Sequence, residues 1–155
     1  MRTRILVLCA ANRYRSPLAA AFLGRYSHLD VRSAGFKPGG LRAGKPVRDA
    51  ARELGFNLED HRSVEVSQEL MSWAQFVIVM NPTQLQKLTE LFGVSNRPHR
   101  ALLGSYLDRA VPSIPDLGFI NLTSPDFGRV VGMIRDATGK VAECLKPRPN
   151  TQSRK

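Results

Sequence analysis

The sequence predicts a single α/β domain of three layers, with a central four-stranded parallel sheet between helices. Three observations predict it. Ile5-Leu6-Val7-Leu8 is an unbroken apolar run, the pattern of a strand buried on both faces. Short apolar runs alternate along the chain with stretches whose apolar residues recur every three or four positions. The chain has 155 residues, 43% of them hydrophobic, which suits one compact domain with a real core.

The elements follow in order. Ile5 to Leu8 is the first strand, and Ser16-Pro17 then reads as an N-cap and first helical residue. The helix they open runs to about Tyr26. Val31 to Ala34 is a short second strand. Gly35 to Gly44 holds four glycines with basic residues and reads as a loop. Pro46 opens a second helix whose apolar residues are Val47, Ala50, Ala51 and Leu54, stopped by Gly55. Residues 67 to 73 form a short helix. Phe76 to Met80 is the clearest strand. Asn81-Pro82 caps a helix carrying Leu85, Leu88 and Leu91. Arg100 to Leu103 is the last strand. Ser124-Pro125 opens the final helix, striped by Phe127, Val130, Val131, Ile134, Ala137, Val141 and Leu145. The domain is expected over residues 1 to 145. Residues 146 to 155, polar and basic with two prolines, are expected to be a disordered tail. No internal repeat is present.

Composition narrows the class. No apolar run reaches the roughly 20 residues that span a bilayer. The first strand is too short, and its flanks wrong, for a signal peptide. Cys9 and Cys144 are far apart, which points to a reducing, cytoplasmic compartment rather than a disulfide scaffold. Cys144 falls on the apolar helical face and is expected in the core. The net charge is +10, and residues 1 to 48 hold ten Lys or Arg against one acid, Asp30. Such a surface attracts phosphorylated or other anionic partners. Nucleic acid is not the expected partner, because no zinc spacing or aromatic-interleaved motif accompanies the charge.

The chemistry concentrates in Cys9-Ala10-Ala11-Asn12-Arg13-Tyr14-Arg15-Ser16, between strand and helix. A loop there wraps backbone N–H groups around a concavity, and such nests bind phosphate-like anions. Arg15 adds a fork that matches two phosphate oxygens. The same positive field favours the thiolate of Cys9. A thiolate beside bound phosphate is placed for phosphoryl transfer to sulfur. Asn12 tolerates the left-handed backbone that a tight loop often demands. A buried structural cysteine near a surface arginine is the plainer reading. The strand before, the cap and proline after, and the asparagine within weigh against it.

With these residues in view, the chain resembles the low-molecular-weight protein tyrosine phosphatases. That family carries Cys-x5-Arg-Ser-Pro directly after its first strand. The resemblance extends through Ser33-Ala34-Gly35, His61-Arg62-Ser63, Val77-Ile78-Val79-Met80 and Ile114-Pro115-Asp116, over about residues 3 to 145. It implies hydrolysis of phosphotyrosine, or of small aryl phosphates, through a phosphocysteine, without metal or other cofactor. Cys9 would be the nucleophile and Arg15 the phosphate ligand. Ala10, Ala11, Asn12, Arg13 and Tyr14 would complete the loop, and Ser16 would hydrogen-bond the sulfur. Asp116 would be the acid and base, with Asp126 as competitor, although Asp126 also reads as a first-turn helix charge. Ser33 and His61 would join Asn12 in a network that holds the loop open.

The chain departs from the family at several places. Leu117 stands where proline usually follows the aspartate. Ala11 replaces a common glycine. Tyr14 replaces a second cysteine that could protect Cys9. Arg13 lines the mouth, where tyrosine phosphatases often carry an apolar residue and relatives acting on phosphoarginine carry threonine. A guanidinium there should repel phosphoarginine and favour an aromatic or anionic ligand. Phe119 and Tyr106 are the candidates for the aromatic wall. Gly39-Gly40-Leu41-Arg42-Ala43-Gly44-Lys45 nearly matches a nucleotide-binding loop, but Pro46 replaces the hydroxyl that would hold magnesium. A flexible basic loop is expected there instead. Two further readings stand beside the phosphatase. An arsenate reductase on the same fold would need a cysteine relay, for which only Cys144 is available. A non-catalytic phosphate- or nucleic-acid-binding module would not need the nucleophile.

Overall fold

The structure, a computed structural model, describes residues 1–120 and 124–149. Its centre is one parallel sheet of four strands in the order β2-β1-β3-β4. The strands are β1 (Thr3–Cys9), β2 (Leu29–Gly35), β3 (Phe76–Val79) and β4 (His99–Leu102). Each expected strand is present, with bounds one or two residues different. Strand β1 lies inside the sheet, paired on both sides. Ile5, Leu6, Val7 and Leu8 are 0% exposed, which explains the unbroken apolar run.

Alternate side chains of β1 feed two cores. Ile5, Val7 and Cys9 face α1 (Arg15–Leu23) and α5 (Pro125–Cys144), meeting Leu18, Phe22, Val130 and Ile134. Val47 from α2 (Lys45–Glu53) joins this cluster. Leu6 and Leu8 face α3 (Gln68–Trp73) and α4 (Pro82–Phe92), meeting Met71 and Leu88. This gives the three layers expected. Each such side chain contributes about 1.5–3 kcal/mol by leaving water.

The helix starts show where local chemistry holds and where it yields. Ser67, Asn81 and Ser124 cap α3, α4 and α5 by accepting from the backbone N–H of Leu70, Gln84 and Asp126. Helix α1 is different. It begins at Arg15 behind Tyr14 and has no side-chain cap. Ser16 therefore lies inside the first turn, and Pro17 sits two positions deeper than a cap at Ser16 would place it. Proline fits there because the first-turn N–H groups lack intrahelical partners in any case. The helix stops at Leu23, short of Tyr26.

Cys144 corrects a second expectation. It is exposed, not in the core. The apolar stripe of α5 is buried as far as Val141 and Ala142, and Glu143 and Cys144 end the helix in solvent. Periodicity identifies the apolar face of a helix but not how far its packing partner extends. Of the tail expected over 146–155, residues 150–155 lie outside the described residues. No helix among the described residues is long and apolar enough to cross a membrane.

Candidate active site

Because the four strands are parallel, their carboxyl ends open on one side of the sheet, where sites of such folds gather. Cys9 ends β1 there, in register with Gly35 at the end of β2. The loop after Cys9 crosses directly over Gly35. A Cβ on Gly35 would stand 2.7 Å from the backbone nitrogen of Asn12 and 2.9 Å from the carbonyl carbon of Ala11. That approach, shorter than any real Cβ makes, accounts for the glycine in Ser33-Ala34-Gly35. Phe36 N–H then donates to the Ala10 carbonyl at 2.8 Å, stitching the two loops together.

Asn12 is the hub of the loop. It is fully buried and has a φ of +56°, the left-handed conformation that asparagine tolerates. Its Nδ2 donates to Ser16 Oγ at 2.8 Å and to Ser33 Oγ at 2.9 Å. Its Oδ1 accepts from the Val64 N–H at 2.9 Å. His61 Nε2 lies 2.8 Å from the Asn12 carbonyl. A carbonyl can only accept, so Nε2 carries the proton in this contact. The structure thus brings Asn12, Ser16, Ser33 and His61 into one network.

Cys9 is 3% exposed, and its Sγ lies 3.0 Å from Ser16 Oγ. The serine hydroxyl that the sequence suggests for a helix cap is engaged instead with the sulfur and with Asn12. Among the described residues, the backbone N–H groups of Ala11, Asn12, Arg13 and Tyr14 donate to no protein acceptor. Unpaired N–H groups at a helix start can form an anion-binding nest.

Arg15 is 4% exposed despite its charge. One terminal nitrogen donates to the Ile114 carbonyl at 2.8 Å, and the other lies 3.7 Å from Asp116 Oδ2. Its Nε has no hydrogen-bond partner among the described residues. A buried guanidinium with a free donor is costly unless an anion completes it. Asp116 is about one third exposed, and its Oδ1 accepts from the Gly118 N–H at 2.9 Å. Its loop is pinned on both sides. Ile114 is 1% exposed and donates to the Met80 carbonyl at 2.9 Å, and Leu117 is 0% exposed. Leu117 thus secures the loop by burial where proline would have stiffened it.

These groups surround a cavity of about 260 Å3 lined by Cys9, Arg13, Tyr14, Arg15, Lys37 and Asp116, with Ala10 and Ala11 in its wall. Arg13 donates from Nε to the Arg42 carbonyl at 2.9 Å, tying the mouth to the glycine-rich loop. That loop is accordingly anchored, with Gly44 N–H donating to the Arg13 carbonyl at 2.9 Å and Gly40 N–H to the Ser63 carbonyl at 2.8 Å. Asp126 is elsewhere, at the start of α5, 3.3 Å from Arg129. Tyr106 is not part of the cavity wall either. It packs against the core and lines a separate groove with α5, where burial raises its pKa, with Cys144 adding to the effect. The side chain of Phe119 lies outside the described residues. Among the described residues, the aromatic that lines the cavity is Tyr14, in the loop itself. Lys37, counted only as charge in the sequence reading, and Gly118 also line the cavity.

A family model described as low molecular weight phosphotyrosine protein phosphatase matches residues 4–150. The chain belongs to that family. It is 34% identical over 95 residues to a protein-arginine-phosphatase of Geobacillus stearothermophilus, covering 59% of this chain and 64% of the relative. It is also 34% identical over 89 residues to EpsP of Ralstonia nicotianae, a probable low molecular weight protein-tyrosine-phosphatase, covering 54% and 59%. The matches thus span about six tenths of each curated relative. Among solved structures, the YwlE arginine phosphatase of G. stearothermophilus superposes with a TM-score of 0.82 at 25% identity, covering 92% of both chains. The tyrosine phosphatase Wzb of Escherichia coli K30, in complex with sulphate, gives 0.80 at 26% identity, covering 94% of this chain and 99% of that one.

Proposed function

We propose that this protein hydrolyses phosphate monoesters of phenols, phosphotyrosine in proteins above all, through a phosphocysteine intermediate. One observation carries the reading: a buried cysteine, a buried arginine with an unpartnered Nε and an aspartate face one cavity at the end of β1. Arg15 and the loop N–H groups bind the phosphate and stabilise charge on its equatorial oxygens. Cys9 Sγ, as the thiolate, attacks phosphorus in line. The bond from phosphorus to the phenolic oxygen breaks, and that oxygen takes the proton of the Asp116 carboxyl. Water then attacks the phosphocysteine, Asp116 takes a proton from it, and the S–P bond breaks to return the thiolate. Ser16, 3.0 Å from the sulfur, stabilises the departing thiolate by hydrogen bonding.

A curated relative and a solved structure, both from G. stearothermophilus, bear the name arginine phosphatase, so the nature of the phosphoryl donor is the finer question. Arg13 at the cavity favours the phenolic substrate, because a second guanidinium there repels the side chain of phosphoarginine.

The decisive experiment is hydrolysis of p-nitrophenyl phosphate in the presence of a chelator, with Cys9→Ser and Asp116→Ala beside the wild type. Cys9→Ser is expected to lose turnover altogether, and Asp116→Ala to lose it by about 100-fold or more. Undiminished turnover in Cys9→Ser would end the phosphocysteine reading.

A further inference from the structure

The side chain of Tyr14 has no part in the mechanism above. It occupies a loop position where this family commonly carries a second cysteine, and a residue of this size there needs room. Both edges of its ring find that room at glycines. A Cβ on Gly44 would overlap Cε1 and Cζ along one edge. A Cβ on Gly118 would stand 3.3 Å from Cε2 and 3.5 Å from Cδ2 along the other. Gly44 belongs to the glycine-rich loop and begins α2, and its N–H donates to the Arg13 carbonyl. Gly118 belongs to the acid loop, and its N–H donates to Asp116 Oδ1 at 2.9 Å. The tyrosine ring is therefore a strut between an anchored loop and the peptide group that orients the carboxylate.

We propose that Tyr14 is a positioning residue for Asp116, setting through Gly118 the distance between the carboxyl and the leaving oxygen. The proposal rests on the reading of Asp116 as proton donor. The ring acts by contact. Its hydroxyl makes no hydrogen bond among the described residues, so the phenyl framework is the working part. The strut also accounts for glycine at 44, where any side chain would displace the ring, whereas a Cβ at 118 would crowd both the ring and Asp116 Oδ1 at 3.3 Å. A misplacement of about 1 Å at a reacting group can cost on the order of 100-fold in rate.

The test is a double-mutant cycle between Tyr14 and Asp116, read as kcat/KM on two substrates. Phenyl phosphate leaves as a basic oxygen and needs the proton. p-Nitrophenyl phosphate leaves as a stabilised anion and needs it less. Tyr14→Ala is expected to lose about 10- to 100-fold on phenyl phosphate and far less on p-nitrophenyl phosphate. In the Asp116→Ala background the same change is expected to cost less than about threefold, because the group being positioned is gone. Tyr14→Phe is expected to stay within about twofold of wild type. Equal losses from Tyr14→Ala in both backgrounds, or a Tyr14→Phe variant as poor as Tyr14→Ala, overturns the proposal. If Asp116→Ala itself keeps the full rate, the proton-donor reading fails and takes this proposal with it. If Asp116→Ala is impaired and the cycle is additive, only the strut fails. Should Tyr14→Ala not fold, Gly44→Ala, whose methyl would meet the ring and not Asp116, supplies the second arm. It presses a methyl against the ring, and its loss on phenyl phosphate is expected to be relieved by Tyr14→Cys. Persistence of the loss in that double variant counts against the strut.

Discussion

Asn12 shows how one residue can answer for a whole loop. Its left-handed backbone costs an ordinary side chain about 1–2 kcal/mol. Each buried group that it satisfies would cost about 1–3 kcal/mol if left unpaired. Its side chain bonds two hydroxyls and one backbone N–H, so the bonds outweigh the strain. Arg13, the next residue, carries the opposite sort of information. Its Nε ties the mouth to the Arg42 carbonyl, and among the described residues no carboxylate pairs with its charge, which therefore bears on the ligand. Arg13→Thr is expected to shift the ratio of phosphoarginine to phosphotyrosine peptide hydrolysis toward phosphoarginine by about tenfold or more, the effect of removing one close like charge. Competition assays with the two peptides measure that ratio, and an unmoved ratio would remove Arg13 from the account of selectivity.

At the scale of elements, α2 is tied to the segment after it by charge. Glu59 accepts from Arg42 and Arg52 at 2.8 Å and from Arg48 at 3.2 Å, and Asp49 accepts from Lys45 at 2.7 Å. The Arg52 hydrogen bond first, and then that of Arg48, hold Glu59 below the usual carboxylate range. Lys45 does the same for Asp49. A carboxyl whose pKa is lowered by folding stabilises the protein above its ordinary pKa, and that stability is lost as pH falls through the folded value. The urea midpoint is therefore expected to decline below about pH 4.5, the ordinary value for Glu59. Glu59→Gln is expected to have a shallower decline. Identical acid limbs would show that the cluster contributes nothing. Both carboxylates are exposed, so the effect is small and weakens with salt.

What could be read from sequence at this scale follows from what is local. Strands buried on both faces and helices opened by Asn-Pro or Ser-Pro carry their signals within a few residues, and β1, β3, α4 and α5 stand where those signals put them. Ser16 misled because a hydroxyl suited to a helix cap serves equally well beside a sulfur, and only the folded loop decides between them. Cys144 misled because a stripe does not announce where its partner ends. Tyr14 was visible as a departure from the family, but its contacts with Gly44 and Gly118 join segments 30 and 104 residues away in sequence. No local pattern could have revealed them.

On the scale of the whole molecule, the net charge of +10 is unevenly used. The arginines around Glu59 are engaged with it, whereas Arg13 and Lys37 line the cavity, where Asp116 is the only acid among the described lining residues. Such a field draws anionic ligands toward the mouth and raises their rate of encounter. For an acidic phosphotyrosine peptide, kcat/KM is expected to fall several-fold between about 0.02 M and 0.5 M salt, as the screening length shortens. The fall should be smaller for p-nitrophenyl phosphate. Equal salt responses would show that the field plays no part in recruiting protein substrates.

The hydrogen bond from Arg15 to the Ile114 carbonyl joins positions 99 residues apart. The loop itself is held by partners no later in the chain than Val64. It has nothing to aim the guanidinium until the strand β3 and the segment at Ile114 have docked. The bond thus works as a checksum on the fold. A molecule without that contact carries every residue of the loop motif and still lacks an aimed guanidinium.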